Sequence, residues 1–381
     1  MSTDGYRPAY LIDGRPLFGD SAVRGIGSYV RSLLGAMAAL GAADDIGLLV
    51  PAGRALPADV AAWRDHVAGE IPVVKRRLQP VLDHLLVMRQ LRRIRPQLFH
   101  ATEWAQPLRS ATPVVVTVHD LIPFIYPRLY PWMRRERIVA VRLLRRAQAV
   151  ITVSRQTADD VTRIAHVPDG RLHVIHHGVS PAFHPADATQ ITATLQRHGI
   201  TSPYVLAVGT QDPRKRVELL MDAFARVDTA AVPLIVLAGH QGVYLDDCRR
   251  TASRYGVTSR VVITGHVSES ELVALYSGAR SLVTASGYEG FGLPLLEAMA
   301  CGTPSIACRN SALIEVSGDA GVLVDDGDAG ALAATVSRLA PNNSERADVV
   351  ARGIAHAARF TWRRAAEQTL YVYRGVVTKT L

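Results

Sequence analysis

Only three cysteines occur in 381 residues, Cys248, Cys301 and Cys308, an odd number in no metal-ligand spacing. That excludes a disulfide framework and fits thiols held in or near a core in a reducing compartment. No apolar run approaches the roughly 20 residues that a membrane-spanning helix needs. The opening "MSTDGYRPAYLIDG" lacks the basic start and apolar stretch of a signal peptide. The expected location is therefore cytoplasmic. A dinucleotide fingerprint is missing too: "RGIGSYVRSLL", from Arg24, has Gly25 and Gly27 but no third glycine, and it lies well past the first apolar run.

Positive charge, by contrast, is plentiful. The net charge is +9 and the sequence pI about 9.7, which admits nucleic acid, an anionic membrane face or a phosphorylated ligand as partner. The arginines gather in "VVKRRLQPVLDHLLVMRQLRRIRP" and "YPRLYPWMRRERIVAVRLLRRAQ", beside the cluster Tyr130, Pro131, Trp132 and Met133. These segments read either as amphipathic helices with solvated arginines or as a basic, aromatic-tipped surface resting on anionic lipid at the inner membrane face.

The length suggests two domains. Short Val- and Ile-rich runs alternate with helix-length segments: "AYLID", "IGLLV", "IPVVK", "LFHAT", "PVVVTVHD", "AVITVS" and "LHVIHHG". The pattern restarts with "PYVLAVGT", "PLIVLAGH", "RVVITGHV", "RSLVTAS", "TPSIACRN" and "AGVLVDD". Such alternation predicts an α/β protein with two doubly wound, Rossmann-like parallel sheets. The prolines of "VSPAFHPADA" read as the linker. The expected division is 1–182, 183–358 and a terminal helical segment, 359–381. Ligands of such folds sit beyond the carboxyl ends of the strands, so a cleft between facing domains is the expected site.

Candidate chemistry concentrates in "YEGFGLPLLEAMACGTP", Tyr288 to Pro304. Gly290 and Gly292 permit a tight loop around Phe291, Leu293 and Pro294 open a helix, and Gly302 is placed to end it. The unpaired amides of such a helix start attract anions, phosphate above all. Glu289 and Glu297 flank the loop, either bordering its ligand or serving as a solvated residue and a helix-dipole partner. Arg214 and Lys215 follow the strand that leads into Gly209 and Thr210; two cations at a strand end can neutralise a diphosphate leaving group. Gly25 and Gly27 open a helix whose amides could face phosphates. His119 closes the run "VVVTVHD" at a carboxyl edge, and Asp120 either orients its ring or caps the next turn. Ser154 reads as a helix cap, and so does Asp328 of "DDGD", which leaves no convincing metal site.

These segments together resemble the retaining glycosyltransferases of family 4, across nearly the whole chain. The shared features are Glu289 and Glu297 with seven residues between them, "RGIGSYVRSLL", "VTVHDLIP", "VITVSRQTADDV", "VGTQDPRKRVELLMDAF" and "TGHVSESELVALYSGA". The resemblance implies the GT-B fold, with the C-terminal helix crossing back to the first domain. It implies a nucleotide-sugar donor, a sugar acceptor, no metal or other cofactor, and no nucleic acid. His119 would then contact the transferred sugar, Glu289 its hydroxyls and Glu297 the ribose. Gly265, His266 and Val267 would offer backbone to the base. The branch resembled is rich in mannosyltransferases of polysaccharide biosynthesis, which places GDP-mannose ahead of UDP-glucose, UDP-N-acetylglucosamine and dTDP-rhamnose, with a lipid-linked acceptor as an alternative. A nucleotide-sugar epimerase and a basic nucleic-acid or lipid-binding module are the rival classes. Two positions depart from the family: Thr210 stands where arginine is frequent, and Arg216 where asparagine or glycine is common.

Overall fold

The computed structural model describes residues 8–19, 25–73, 79–103, 106–107, 109–209, 212–239 and 244–380. Two compact units are present, one formed by Met1–Gly178 with Thr361–Leu381 and the other by Val179–Phe360.

The first unit holds a parallel sheet built from β1 (Tyr10–Asp13), β2 (Ile46–Pro51), β3 (Val67–Ile71), β4 (Leu98–Ala101), β5 (Val114–Val118), β6 (Ala149–Thr152) and β7 (Leu172–Val174), in the order β3-β2-β1-β4-β5-β6-β7. Every residue of β2, β4, β5 and β6 is buried, because helices cover both faces of a parallel sheet. Successive side chains alternate between those faces. Ile12, Leu48 and Val115 enter one core and Leu11, Leu49 and Val116 the other. The first core also takes Tyr29, Leu33 and Met37 from the helix Gly25–Ala39, and Ala366 and Tyr373 from the C-terminal helix Trp362–Thr380.

The second unit repeats the design with β8 (Tyr204–Val208), β9 (Leu234–Ala238), β10 (Val261–Gly265), β11 (Ser281–Thr284), β12 (Ser305–Cys308) and β13 (Val322–Val324), ordered β10-β9-β8-β11-β12-β13. Val205 and Ile235 face one core, Leu206 and Val236 the other. All three cysteines are free and buried. Each sheet reverses its winding once, between β1 and β4 and between β8 and β11, and such switch points are where doubly wound sheets bind ligands.

Two expectations need correction. The third strand is "VAGEI", which shares only Ile71 with the expected run "IPVVK", whose Val74 and Lys75 lie outside the described residues. Pro72 has no N–H to give to a ladder, so the strand closes at Ile71. At Gly69 an added Cβ would come within 2.8 Å of the Ile94 side chain, so only glycine lets that helix residue pack so close. The unit boundary falls at Gly178/Val179 rather than after 182, and again at Phe360/Thr361 rather than after 358. The two passages run side by side. Val179 donates its N–H to the Phe360 carbonyl at 2.9 Å, and a Cβ on Gly178 would lie 2.1 Å from the Trp362 nitrogen.

Candidate functional site

The switch point of the second unit carries a buried ion triad. Pro213–Lys215 forms a short helical turn after β8, capped by Asp212, whose carboxylate accepts the Arg214 N–H. The loop after β11 brings Glu289 opposite. Its Oε1 lies 2.7 Å from Lys215 Nζ and its Oε2 2.7 Å from Arg214 Nη1. Arg214 also donates to the Tyr288 carbonyl at 2.6 Å. Each of the three side chains is only about one-eighth exposed. Burial alone raises the Glu289 carboxyl, but the adjoining Arg214 and Lys215 charges outweigh it and hold the group at about 2. Glu289 is thus ionised, and one carboxylate faces two cations.

The backbone around the triad is specialised. Gly209 (φ 117°), Gly239 (φ 126°) and Gly265 (φ 72°) end three neighbouring strands. The Gly209 N–H donates to Ala238 and the Gly239 N–H to Gly265. A Cβ on Gly239 would meet the Gly209 carbonyl at 2.7 Å, and one on Gly209 would meet Lys215 Nζ at 3.2 Å. Two chain segments and a lysine therefore share a space that side chains would fill. Ser311, at φ 44°, accepts the Glu289 N–H at 2.9 Å and donates to Asn310. A non-glycine residue in that conformation is strained, and here it pins the backbone of the triad's only carboxylate.

Arg216 has φ 50° and ψ 54°, the left-handed conformation. That explains why asparagine or glycine suits the position. Its guanidinium makes two bonds to Asp326, at 2.6 and 3.3 Å, and a Cβ on Gly287 would lie 2.6 Å from Arg216 Nε. The "DDGD" carboxylates are accordingly occupied. Asp325 lies 3.7 Å from Arg309, Asp326 pairs with Arg216, and Asp328 caps the helix Ala329–Leu339 by accepting the Ala331 N–H. Ser154 caps its helix through the Thr157 N–H.

Gly292 (φ 105°) opens the helix Leu293–Ala300, and Gly302 (φ 75°) follows its end. Two site expectations change here. Phe291 is buried, its ring centroid 6.3 Å from that of Phe360, so any contact with a donor comes from its backbone. Glu297 lies in the second turn rather than the first, and Oε2 accepts the Tyr276 hydroxyl at 2.8 Å. It is 91% buried by area (9% exposed), and burial pushes its carboxyl up to about 7, partly opposed by the Tyr276 hydrogen bond and aided by Glu269. A helix-dipole partner would be exposed and ionised, so that reading fails.

A folded pKa above the unfolded one means that stability is fully present below about 4.5 and lost as pH rises through about 7. The rise corresponds to roughly 3 kcal/mol. Glu297→Gln should therefore gain melting temperature relative to the parent at pH 8 but not at pH 4.5. A constant offset across that range would refute the assignment.

Gly265, His266 and Val267 close β10 and enter the next turn, with His266 exposed. Thr210 lies outside the described residues.

In the first unit, Gly25 is exposed at the start of its helix and Gly27 is buried. One turn on, the Tyr29 ring meets the His119 ring edge-on, with centroids 4.8 Å apart. His177 approaches both, and Trp362 of the C-terminal helix stacks on His177 at 5.5 Å. His119 Nε2 donates to the Thr102 carbonyl at 3.0 Å, and burial lowers the basicity of the ring. His119 is thus neutral near pH 7, with Nδ1 as its acceptor nitrogen, suited to a ligand hydroxyl. Asp120 takes the turn-capping alternative, accepting the Ile122 N–H.

Sequence reading missed two groups here. Arg15 forks onto Asp13 at 2.8 and 2.7 Å and reaches Asp83 at 3.0 Å, while Arg137 lies 3.6 Å from Glu103. Asp13 ends β1 and Glu103 follows β4, which puts both at the first unit's switch point. The strand-end rule that singled out His119 would also have found Asp13. The aromatic group could not have been found so, because Trp362 is almost the whole chain away from Tyr29.

Residues 191–356 match the family model for Glycosyl transferases group 1, and residues 23–183 that for Glycosyltransferase Family 4. The O-antigen chain mannosyltransferase B of Escherichia coli is 30% identical over 290 residues, 74% of this chain and 76% of that protein. The serotype-specific mannosyltransferase WbdA of Escherichia coli is 26% identical over 66% of this chain, and the match spans about a third of WbdA. Among solved structures, Anabaena HepE in complex with UDP and glucose superposes with a TM-score of 0.74 at 19% identity, over 96% of this chain and 99% of that one. Together they show the GT-B fold.

Proposed function

Because the chain belongs to the group 1, family 4 glycosyltransferases, we propose that it transfers an α-mannosyl group from GDP-mannose to a sugar hydroxyl of an oligo- or polysaccharide, with retention at the anomeric carbon. The observation that carries this reading is the Arg214–Lys215–Glu289 triad at the second unit's switch point. Two buried cations neutralise a diphosphate as it leaves, which is the task a metal ion performs elsewhere, so no metal is required. Glu289 then turns from its cations to the hydroxyls of the sugar. Glu297, protonated or ionised near neutral pH, serves the ribose hydroxyls, and the amides of Gly290 and Gly292 and at the start of the helix Leu293–Ala300 support the phosphates. Among the described residues no carboxylate is assigned as a nucleophile. The acceptor hydroxyl attacks from the face that the diphosphate vacates, and a phosphate oxygen takes its proton. Neutral His119 accepts a hydrogen bond from the transferred sugar.

The mannosyl reading rests on the names of the Escherichia coli relatives. A UDP-sugar is the second reading, supported by the HepE complex. Exposed Trp132 and Leu129, beside exposed Arg134 and Arg135, support peripheral contact with an anionic membrane face. No described helix is long and apolar enough to cross a membrane.

Thermal shifts with GDP, UDP and dTDP discriminate the donors. A ligand at 100 times its Kd adds about 2.7 kcal/mol of stability. GDP should stabilise most, and mannose should pass from GDP-mannose to manno-oligosaccharides, α-linked, in excess EDTA. Stabilisation by UDP and not by GDP would end the mannosyl reading and leave the transferase reading standing.

A further inference from the structure

The first sheet has a second feature, at the edge opposite the switch point. A cavity of about 1050 Å³ is lined by Arg92, Arg95, Arg109, Arg146, Ser110 and Thr112, among others. It touches Val114, which begins β5, and Gln148, just before β6. His119 lies beyond the other end of β5, five residues and roughly 16 Å away along the strand. The two sites are therefore distinct.

We infer that this cavity is a binding site for a phosphate-bearing anion, independent of the diphosphate site proposed in the second unit. The arginines come from three separate stretches: Arg92 and Arg95 at the end of the helix Gln79–Ile94, Arg109 from the segment before β5, and Arg146 just before β6. The end of one helix asks for a cation or two near its carbonyls, and four guanidinium groups gathered from distant stretches exceed that need. All four are exposed, and no lining residue is a carboxylate. A polyvalent anion suits such a set, because the planar guanidinium fork matches phosphate oxygens best. Ser110, Thr112 and Gln97 add neutral donors, while Gln148 is held in place by accepting the Val114 N–H at 2.7 Å. The volume exceeds one inorganic anion, and Met88, Leu91 and Pro113 line it with apolar surface. It suits a phosphoryl group that carries something larger, either a lipid headgroup or a soluble phosphate.

Inorganic pyrophosphate, titrated calorimetrically at low salt, should meet two classes of site in the parent. The double variant R92Q/R109Q should lose one class, with affinity falling about tenfold or more, while Lys215→Ala should lose the other. R92K/R109K, which keeps the charge, should recover part of the binding and shows that the loss is not misfolding. Sedimentation with phosphatidylglycerol vesicles, against phosphatidylcholine, names the source. Parent binding that R92Q/R109Q abolishes assigns a lipid headgroup, and a pyrophosphate effect without vesicle binding assigns a soluble phosphate. Identical behaviour of parent and R92Q/R109Q in both arms overturns the inference, as does a single pyrophosphate class that Lys215→Ala removes.

Discussion

Glu289→Gln is expected to lower turnover on the order of 100-fold or more while nucleoside diphosphate binding persists or strengthens. The opposite signs follow from the triad. In the unliganded protein Glu289 neutralises Arg214 and Lys215, so it competes with a diphosphate for them. Removing its charge leaves Lys215 without its carboxylate and Arg214 with only Asp212, 3.8 Å away, which destabilises the free protein by up to roughly 3 kcal/mol and increases the gain when a diphosphate arrives. The transferred sugar, however, loses an acceptor whose contribution belongs to the transition state, and turnover falls accordingly. Calorimetry with GDP and a transfer assay on one preparation check both parts. If turnover and affinity fall together, the triad is structural and Glu289 does not serve the sugar.

Lys215→Ala should weaken nucleoside diphosphate binding and raise the barrier to transfer by about 2–4 kcal/mol, the scale of losing one preorganised charge. Arg214 stays paired with Glu289, so the fold should survive. The lysine is held across Gly209, where no side chain leaves room for it, and the role proposed for its amine is on phosphate rather than on base or ribose. Free nucleoside should therefore bind the variant as it binds the parent. An equal loss for nucleoside and diphosphate would show that Lys215 supports the loop and not the leaving group.

All six described strands of the second unit fall within the runs read from sequence, as do five of the seven in the first, with β2 extending one residue past its run to Pro51. Parallel strands buried on both faces must be continuously apolar, and that pattern survives without any tertiary information. "IPVVK" misled because Val-rich composition also suits the chain just past a strand, and only Pro72 marked the end. Arg214 and Lys215 were legible by their place after a strand, and Glu289 by its place beside the glycine loop. Their pairing was not, since 74 residues separate Lys215 from Glu289.

Elsewhere the sequence signal was ambiguous by nature. Glu297 could be an exposed dipole partner or a ligand-facing acid, because a helix position does not say which side faces a neighbour. Tyr276, from another helix, bonds its Oε2 and rules out the exposed dipole partner. Arg216 looked like a departure from its family, until its left-handed backbone and its pairing with Asp326 showed a conformation that asparagine and glycine reach with less strain.

By itself the sequence determined the two doubly wound sheets, the strand ends at which cations and carboxylates stand, the helix caps at Ser154 and Asp328, and the family. These follow from local rules: apolar period, turn chemistry and short motifs. Only the tertiary structure decided which charges meet. It gave Glu289 two cations and a carboxyl near 2, gave Glu297 a tyrosine and a carboxyl near 7, and brought arginines from three stretches to one cavity. Charge interactions depend on distance and burial, and neither is written along the chain.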